Sequence, residues 1–271
     1  MSAANATTAA AGPGSLLSRA RAGQPLPDGL LLDAHAHLGR WATFDSCGPG
    51  EQVAEMDRVG IRQAVTSSLL ALAGDVRAGN DQVAAALRQF PGRLFGYVHV
   101  NANFADEMLP ELERCFALPG FVGIKVYQRG VAYDAAAFRP VWAFARDRVI
   151  PVLAHTWGEN LTGLDIAARE WPTVPFLLGH AGSGMAYRRC VEAARQAPNL
   201  YLDVTLSREY PGLIEYFVEH VGAERLVWGT DSPLFAMAHQ VGKVLFARIP
   251  DDAKRKILGG NAIRLFGLDR R

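Results

Sequence analysis

The sequence feature that most constrains the fold is a pattern that recurs eight times from Leu30 onward. A short apolar run, rich in β-branched residues, ends in a polar residue and is followed by a longer amphipathic stretch, which is typical of a strand and then a helix in a parallel sheet. The strands predicted on this basis are Leu30–His35, Gln63–Leu69, Leu94–Val100, Phe121–Tyr127, Ile150–His155, Pro175–His180, Leu200–Val204 and Leu226–Thr230. Eight such units in about 240 residues favour an α/β fold of the closed (β/α)8 TIM barrel type over an open doubly wound sheet. No G-x-G-x-x-G motif follows the first strand, so the sequence predicts no dinucleotide site.

Length and composition predict a single barrel domain over residues 30–271, preceded by a flexible arm over residues 1–29. The chain is 49% apolar and 20% charged, which suffices for one large core, and barrels of about 250 residues commonly form one domain. The arm is rich in Ala, Ser, Thr, Gly and Pro and has no acidic residue before Asp28, with a short helix expected at Ser15–Ala22. Because the arginines of the arm lie in this acid-free context, an organelle transit peptide is the alternative.

Charge and hydropathy exclude several classes of partner. The net charge is +1, and Lys and Arg form no long run, so the sequence predicts neither a nucleic-acid interface nor a basic membrane-binding patch. No apolar run approaches the ~18 residues of a membrane-spanning helix. The three cysteines, Cys47, Cys115 and Cys190, form no C-x-x-C pair and are odd in number, which favours a reducing compartment over a disulfide framework. We therefore expect a cytoplasmic protein that binds a small-molecule substrate, and homodimer formation stays open.

Polar side chains stand at the ends of four predicted strands, where a barrel builds its active site. His35 and His37 are two residues apart on the first strand, so both imidazoles point to the same face. The fifth, sixth and eighth strands lead to His155, His180 and Asp231. Imidazole and carboxylate groups together are ligands for zinc and similar first-row ions. An isolated H-x-H pair is often incidental, but three further donors at the same mouth predict a metal site rather than core histidines.

Six segments, in this order and spacing, resemble the amidohydrolase superfamily, and within it the branch of the aminocarboxymuconate-semialdehyde decarboxylase-like hydrolases and decarboxylases. They are DAHAH at Asp33–His37, GIKVY at Gly123–Tyr127, PVLAHT at Pro151–Thr156, LGHAG at Leu178–Gly182, WGTDSP at Trp228–Pro233 and NAIRL at Asn261–Leu265. The resemblance implies one divalent metal, with zinc as the expected ion, bound by His35, His37, His155 and Asp231. It also implies that His180 is an acid/base group rather than a ligand.

Lys125 ends the fourth predicted strand, where some members of the superfamily carry a carboxylated lysine that bridges two metals. In that case the site would be binuclear, with His155 and His180 on the second ion. In the branch that this chain resembles, the lysine is more often uncarboxylated, so we interpret Lys125 as a cationic anchor for a substrate carboxylate or phosphate. The alternative is a lysine that extends to solvent from the strand end.

Three further residues are candidates at the same face of the barrel. Trp157 and Arg208 follow the fifth and seventh strands, and we expect them to bind substrate because loops at this face carry specificity. Packing or solvation within those loops is the alternative. Asp33 is two residues before His35, so alternation along the strand predicts that its side chain lies on the same face as His35 and His37, but farther from the strand end. It is either a partner that holds an imidazole or a carboxylate at the strand start.

These groups together predict a metal-dependent hydrolase. A bound divalent ion lowers the pKa of water from ~15.7 to about 7 and polarises a substrate oxygen. Asp231 can then accept a proton from the water, while His180 stabilises the oxyanion or protonates the leaving group, which favours attack on a lactone, amide or ester of a small, carboxylated molecule. One alternative is a metal-dependent decarboxylase of an aromatic or enol carboxylate. Another is a metal-binding barrel without turnover, which is disfavoured because a closed structural site needs no adjacent acid/base group.

Overall fold

The structure, a computed structural model, describes residues 14–41, 47–127, 130–156, 161–183, 186–205 and 211–270. Eight parallel strands form one sheet in which each strand pairs with its neighbours in chain order. The strands are β1 (Leu31–Leu38), β2 (Ile61–Ser68), β3 (Leu94–Val100), β4 (Phe121–Val126), β5 (Val152–His155), β6 (Phe176–Gly179), β7 (Leu200–Asp203) and β8 (Leu226–Val227). This order confirms the (β/α)8 barrel predicted from the sequence.

Backbone hydrogen bonds between β1 and the segment that follows β8 close the sheet into a barrel. The N–H of Asp231 donates to the carbonyl of His35 at 2.7 Å, and the N–H of His37 donates to the carbonyl of Ser232 at 2.7 Å. The first and last strands are therefore joined beside both predicted metal ligands of β1. Closure of the barrel and assembly of the site depend on the same few residues.

Helices lie between all consecutive strands and surround the barrel. They are α1 (Leu16–Arg21), α2 (Pro49–Val59), α3 (Leu69–Ala73), α4 (Val76–Gln89), α5 (Ala105–Phe116), α6 (Arg139–Arg148), α7 (Leu164–Glu170), α8 (Tyr187–Gln196), α9 (Leu213–Val221), α10 (Met237–Phe246), α11 (Asp251–Arg255) and α12 (Asn261–Phe266). A π-helical turn at Lys256–Gly260 leads directly into α12. Among the described residues, no helix combines the length and the apolar character that crossing a membrane requires.

Two apolar layers hold the barrel together. On β5, Val152 and Ala154 belong to a large cluster that packs the strands against the helices, whereas Leu153 belongs to a smaller cluster inside the barrel. This alternation follows from the two-residue period of a strand. Phe266 of α12 joins the inner cluster, with its ring centroid 5.7 Å from that of Tyr97. Apolar side chains thus fill the barrel below the polar strand ends.

Part of the N-terminal segment packs on the barrel. The helix α1 begins after the N-cap Ser15, whose hydroxyl accepts a backbone N–H at 3.1 Å. Leu16 is fully buried, and its N–H donates to Asp251 Oδ2 at 2.8 Å. The short helix expected at Ser15–Ala22 is therefore present and docked, while residues 1–13 lie outside the described residues.

Candidate active site

The polar side chains predicted at the strand ends lie at the carboxyl ends of the barrel strands. His35 and His37 are in the second half of β1, and His155 is the last residue of β5. His180 directly follows β6, and Asp231 follows β8. Both of these residues have a left-handed backbone, with φ of 61° for His180 and 55° for Asp231. Such values are uncommon for residues other than glycine and concentrate where the surrounding structure imposes a functional geometry.

His35, His37 and Asp231 form a group suited to one metal ion. Asp231 Oδ1 lies 3.0 Å from His37 Nε2 and 3.6 Å from His35 Nε2. Two ligand atoms that are about 2.0–2.2 Å from one ion, at a tetrahedral angle, are roughly 3.3–3.6 Å apart. All three side chains are buried, and they offer ligand atoms within 4.8 Å of one another. The predicted donors of β1 and β8 therefore fit a divalent cation.

Hydrogen bonds at Nδ1 fix the orientation of two imidazoles in the site. His35 Nδ1 lies 2.7 Å from Asp203 Oδ2, and His180 Nδ1 lies 2.6 Å from the carbonyl oxygen of Thr205. A carbonyl can only accept, so His180 carries a proton on Nδ1, and an ionised Asp203 would place a proton on Nδ1 of His35 as well. In a neutral His35 ring the lone pair then resides on Nε2, the atom that lies 3.6 Å from Asp231 Oδ1.

The sequence analysis missed two partners of the predicted ligands. Asp203, the last residue of β7, is the partner of His35. Ser67, on β2, has its Oγ 2.8 Å from His37 Nδ1. Both are buried polar residues in the last two positions of a strand. The other donors were identified because a polar residue stands at the end of an apolar strand. The same criterion, applied to β2 and β7, would have identified Ser67 and Asp203.

His155 lies beside His180 rather than within the group of three donors. Its ring centroid is 4.7 Å from that of His180 and 4.4 Å from that of Tyr127. A second group of buried donors in the described part of the chain consists of His35, His180 and Asp203, and it also does not include His155. The assignment of His155 as a fourth metal ligand therefore stays a prediction.

Lys125 lies inside the site. Its side chain is fully buried, and Nζ lies 2.9 Å from His35 Nε2. Burial lowers the pKa of Lys125 to about 8, although the carboxylates of Asp231 and Asp203 act to raise it. Extension of this lysine to solvent, one of the three interpretations from sequence, is therefore wrong. A buried cation at this position is suited to pair with an anionic group.

Asp33 braces the backbone rather than an imidazole. A register irregularity between Asp33 and Ala36 breaks the two-residue alternation of β1. Asp33 Oδ1 accepts the N–H groups of His35 at 3.0 Å and Thr230 at 2.9 Å, and Oδ2 accepts the Thr230 hydroxyl at 2.5 Å. Burial raises the pKa of Asp33 to about 7 despite these hydrogen bonds. Asp33 thus fastens β1 to the end of β8, and of the two interpretations from sequence the one that makes it the partner of an imidazole is wrong.

Burial sets the protonation of the donor residues. It lowers the pKa of His35, His37 and His155, so these imidazoles are neutral, which is the form that binds a metal. Burial acts to raise the pKa of Asp231, but the nearby rings of His180 and His37 hold that pKa well below its ordinary value. The site therefore presents neutral imidazoles and an ionised carboxylate to a cation.

The two loop residues predicted to contact substrate, Trp157 and Arg208, lie outside the described residues. Their role in substrate binding stays a prediction.

The profile of the amidohydrolase family matches residues 32–268, which is nearly the whole barrel. The chain belongs to the amidohydrolase family. The match begins on β1 just before the two histidines and extends beyond Asp231 into the last helices, so every donor of the site lies within it. The resemblance inferred from the six sequence segments is confirmed, and the chain is an enzyme of the amidohydrolase superfamily.

Relatives of this amidohydrolase include enzymes of two reaction types. It is 25% identical over 286 aligned positions to L-fucono-1,5-lactonase from Burkholderia ambifaria, with 88% of this chain and 96% of that protein covered. It is 24% identical over 283 aligned positions to gamma-resorcylate decarboxylase from Polaromonas sp., with 79% of this chain and 86% of that protein covered. A crystal structure of dihydroxybenzoic acid decarboxylase from Polaromonas sp., with bound manganese and the inhibitor 2-nitroresorcinol, shares the fold with a TM-score of 0.74 at 19% identity, covering 90% of this chain and 98% of that one.

Proposed function

We propose that this amidohydrolase is a metal-dependent hydrolase that opens a lactone, or cleaves a related ester or amide, in a small molecule that carries a carboxylate. The observation that carries the proposal is the position of Asp231. Its Oδ1 lies 3.6 Å from His35 Nε2 and 3.0 Å from His37 Nε2, and Oδ2 is a second acceptor on the same group. A carboxylate that faces the metal ligands through one oxygen can accept a proton from water through the other. Hydrolysis needs this step, whereas decarboxylation does not.

The donor set fits a divalent first-row ion held by His35, His37 and Asp231, with His155 proposed as the fourth ligand. Such an ion supplies a water that is nucleophilic near neutral pH and polarises the substrate carbonyl. We propose zinc because several imidazoles with one carboxylate are a frequent zinc set. Manganese, which is bound in the related decarboxylase structure, is the second candidate.

His180 is the proposed acid/base group on the substrate side of the site. Its Nδ1 is held at 2.6 Å from the Thr205 carbonyl oxygen, and its ring centroid lies 4.9 Å from that of His35. This anchoring leaves Nε2 as the atom that exchanges a proton with the substrate. In its imidazolium form, with a second proton on Nε2, His180 can donate to the developing oxyanion or to the leaving alcohol or amine, and the proton that Asp231 accepts from water replaces the one donated.

Lys125 supports an anionic substrate. A fully buried ammonium, 2.9 Å from His35 Nε2, stands beside the proposed ligands. Burial of a cation is costly unless a negative group compensates it, so a substrate carboxylate bound here gains a charge-assisted contact. The similarity to L-fucono-1,5-lactonase, which extends over 96% of that protein, supports a lactone as the substrate class. Trp157 and Arg208 are proposed as further substrate contacts.

A decarboxylase of an aromatic or enol carboxylate is the second candidate, and the similarity to gamma-resorcylate decarboxylase favours it. In that reaction Lys125 would anchor the carboxylated ring, and His180 would protonate the carbon from which CO2 leaves. Asp231 would then act only as a ligand, with no proton to accept from water.

Product assays separate the two candidates. Protein reconstituted with Zn²⁺ or Mn²⁺ is tested against a panel of sugar-acid and dicarboxylic-acid lactones, in which each ring opening releases one proton to a pH indicator. It is also tested against dihydroxybenzoates, with CO2 release and loss of the acid as the readouts. The proposal expects lactone opening that Asp231→Asn abolishes. Release of CO2 without lactone opening would replace the proposal by the decarboxylase.

A further inference from the structure

One carboxylate in the site reaches both a proposed metal ligand and the proposed acid/base residue. Asp203 Oδ2 lies 2.7 Å from His35 Nδ1 and accepts the N–H of His180 at 3.4 Å. Asp203 Oδ1 accepts the N–H of Thr205 at 3.1 Å and also accepts its hydroxyl. The residue is 1% exposed, so bulk water does not compete for these contacts. Each oxygen serves two donors, which uses about all four of the lone-pair sites that a carboxylate offers.

We propose that Asp203 is a positioning residue that sets the tautomer of His35 and the placement of His180 together, an inference that rests on the proposed function. An ionised carboxylate only accepts, so it holds the proton of His35 on Nδ1, and the lone pair then resides on Nε2, the atom that would bind the metal. A histidine with the opposite tautomer would present an N–H to the ion and could not bind it.

The Asp203 carboxylate positions His180 in two ways. The first is direct, since Oδ2 accepts the backbone N–H of His180, whose φ is 61°. The second passes through Thr205, which is tied to Oδ1 by two hydrogen bonds and whose carbonyl lies 2.6 Å from His180 Nδ1. The ring of His180 is therefore oriented by a residue that also orients a metal ligand. Loss of Asp203 is expected to affect both the metal and the proton donor.

An amide at this position cannot reproduce the pattern, although it has nearly the same shape. If the NH2 group of Asp203→Asn faces His35, then His35 must move its proton to Nε2 in order to accept, and the N–H of His180 meets another donor. If the NH2 group faces Thr205 instead, it meets the backbone N–H of Thr205. Either orientation leaves a donor against a donor in a buried site.

The test uses full-length protein and two readouts that require no substrate. The ¹⁵N NMR spectrum of the histidine-labelled, metal-free protein reports which ring nitrogen of His35 carries the proton, after assignment with His35→Gln. Zn²⁺ affinity is then measured by competition with a chromophoric chelator. The matched control is Ser67→Ala, which removes the Nδ1 partner of the other β1 ligand, His37. A hydroxyl both donates and accepts, so Ser67 does not specify a tautomer.

The proposal expects an Nδ1–H tautomer for His35 in the unaltered protein. It expects Asp203→Asn to weaken Zn²⁺ binding by roughly 10–100-fold, the usual effect of removing such a partner, and Ser67→Ala to weaken it less. An Nε2–H tautomer in the unaltered protein would overturn the proposal even if Asp203→Asn fails to fold. A folded Asp203→Asn with unchanged affinity and tautomer would also overturn it. If the unaltered protein binds no metal, the proposed function fails, while the tautomer still decides the role of Asp203.

Discussion

An alanine in place of Gly229 adds a methyl group where the chain after β8 runs against β1. A Cβ at this position would lie 2.5 Å from the Cβ, 2.6 Å from the N and 2.8 Å from the Cα of His35. Carbon atoms pack at about 3.5–4.0 Å, so relief of the 2.5 Å contact between the two Cβ atoms must move His35 or the segment of residue 229 by roughly 1.0–1.5 Å. Metal–ligand distances tolerate only ~0.2 Å. We therefore expect Gly229→Ala to lose most of its affinity for the metal.

The stability of this variant should fall as well, because the added methyl group overpacks the closure between β1 and β8. Overpacking of this kind costs about 1–3 kcal/mol, which in a chain of this size corresponds to a fall in Tm of roughly 2–12 °C. Gly242→Ala is the matched control, since Gly242 lies in α10 and a Cβ there has nothing within 4 Å. Alanine favours a helix over glycine, so we expect Gly242→Ala to gain about 0.5–1 kcal/mol and to keep its metal.

The Tm of the two alanine variants is measured by calorimetry, and their metal content is measured by mass spectrometry. Both are purified in the presence of Zn²⁺ and dialysed against metal-free buffer. A Gly229→Ala protein with the metal content and Tm of the unaltered protein would refute the reasoning, because the closure would then accommodate the methyl group without moving His35.

Three further expectations follow from the same contacts. His180→Asn should keep its metal and lose roughly 10²–10⁴-fold in kcat, the usual contribution of a positioned acid/base group; parallel loss of metal and rate would make His180 a ligand instead. Lys125→Met should keep one ion per chain and raise KM for an anionic substrate, whereas loss of one of two ions would indicate a carboxylated, bridging lysine. Deletion of residues 1–25 removes the fully buried Leu16 and should cost about 2–5 kcal/mol, as measured by denaturant unfolding. Deletion of residues 1–13 keeps α1, and equal stability of the two truncated proteins would contradict the docking of α1.

The barrel could be predicted from the sequence because its strands are apolar runs with a local signature. β3 has the predicted bounds, Leu94–Val100. Strand ends were harder to predict, since they depend on pairing with distant segments. β1 continues past His35 to Leu38, which pairs with Ser68 of β2. The N–H of His37 donates to the carbonyl of Ser232, in the segment after β8. No local pattern in β1 specifies those contacts.

The sequence could assign a residue to the candidate site only where a polar residue stands at the end of a predicted strand. Asp203 shares that position, but its contact with His35 joins residues 168 apart in the chain. Asp33 was placed on the face of the histidines by a two-residue alternation, which the irregularity before Ala36 interrupts. Its partner Thr230 is 197 residues away. Such partners are set by closure of the barrel, and periodicity along a single strand carries no information about them.

The central claim is that His35, His37 and Asp231 hold a divalent metal, and metal stoichiometry tests it most directly. The protein, expressed with Zn²⁺ and then dialysed, should contain about one ion per chain, and His35→Ala and Asp231→Ala should each contain close to none. Circular dichroism must show that both variants stay folded, so that loss of metal reports loss of a ligand. Full metal content in both folded variants, or none in the unaltered protein, would contradict the account.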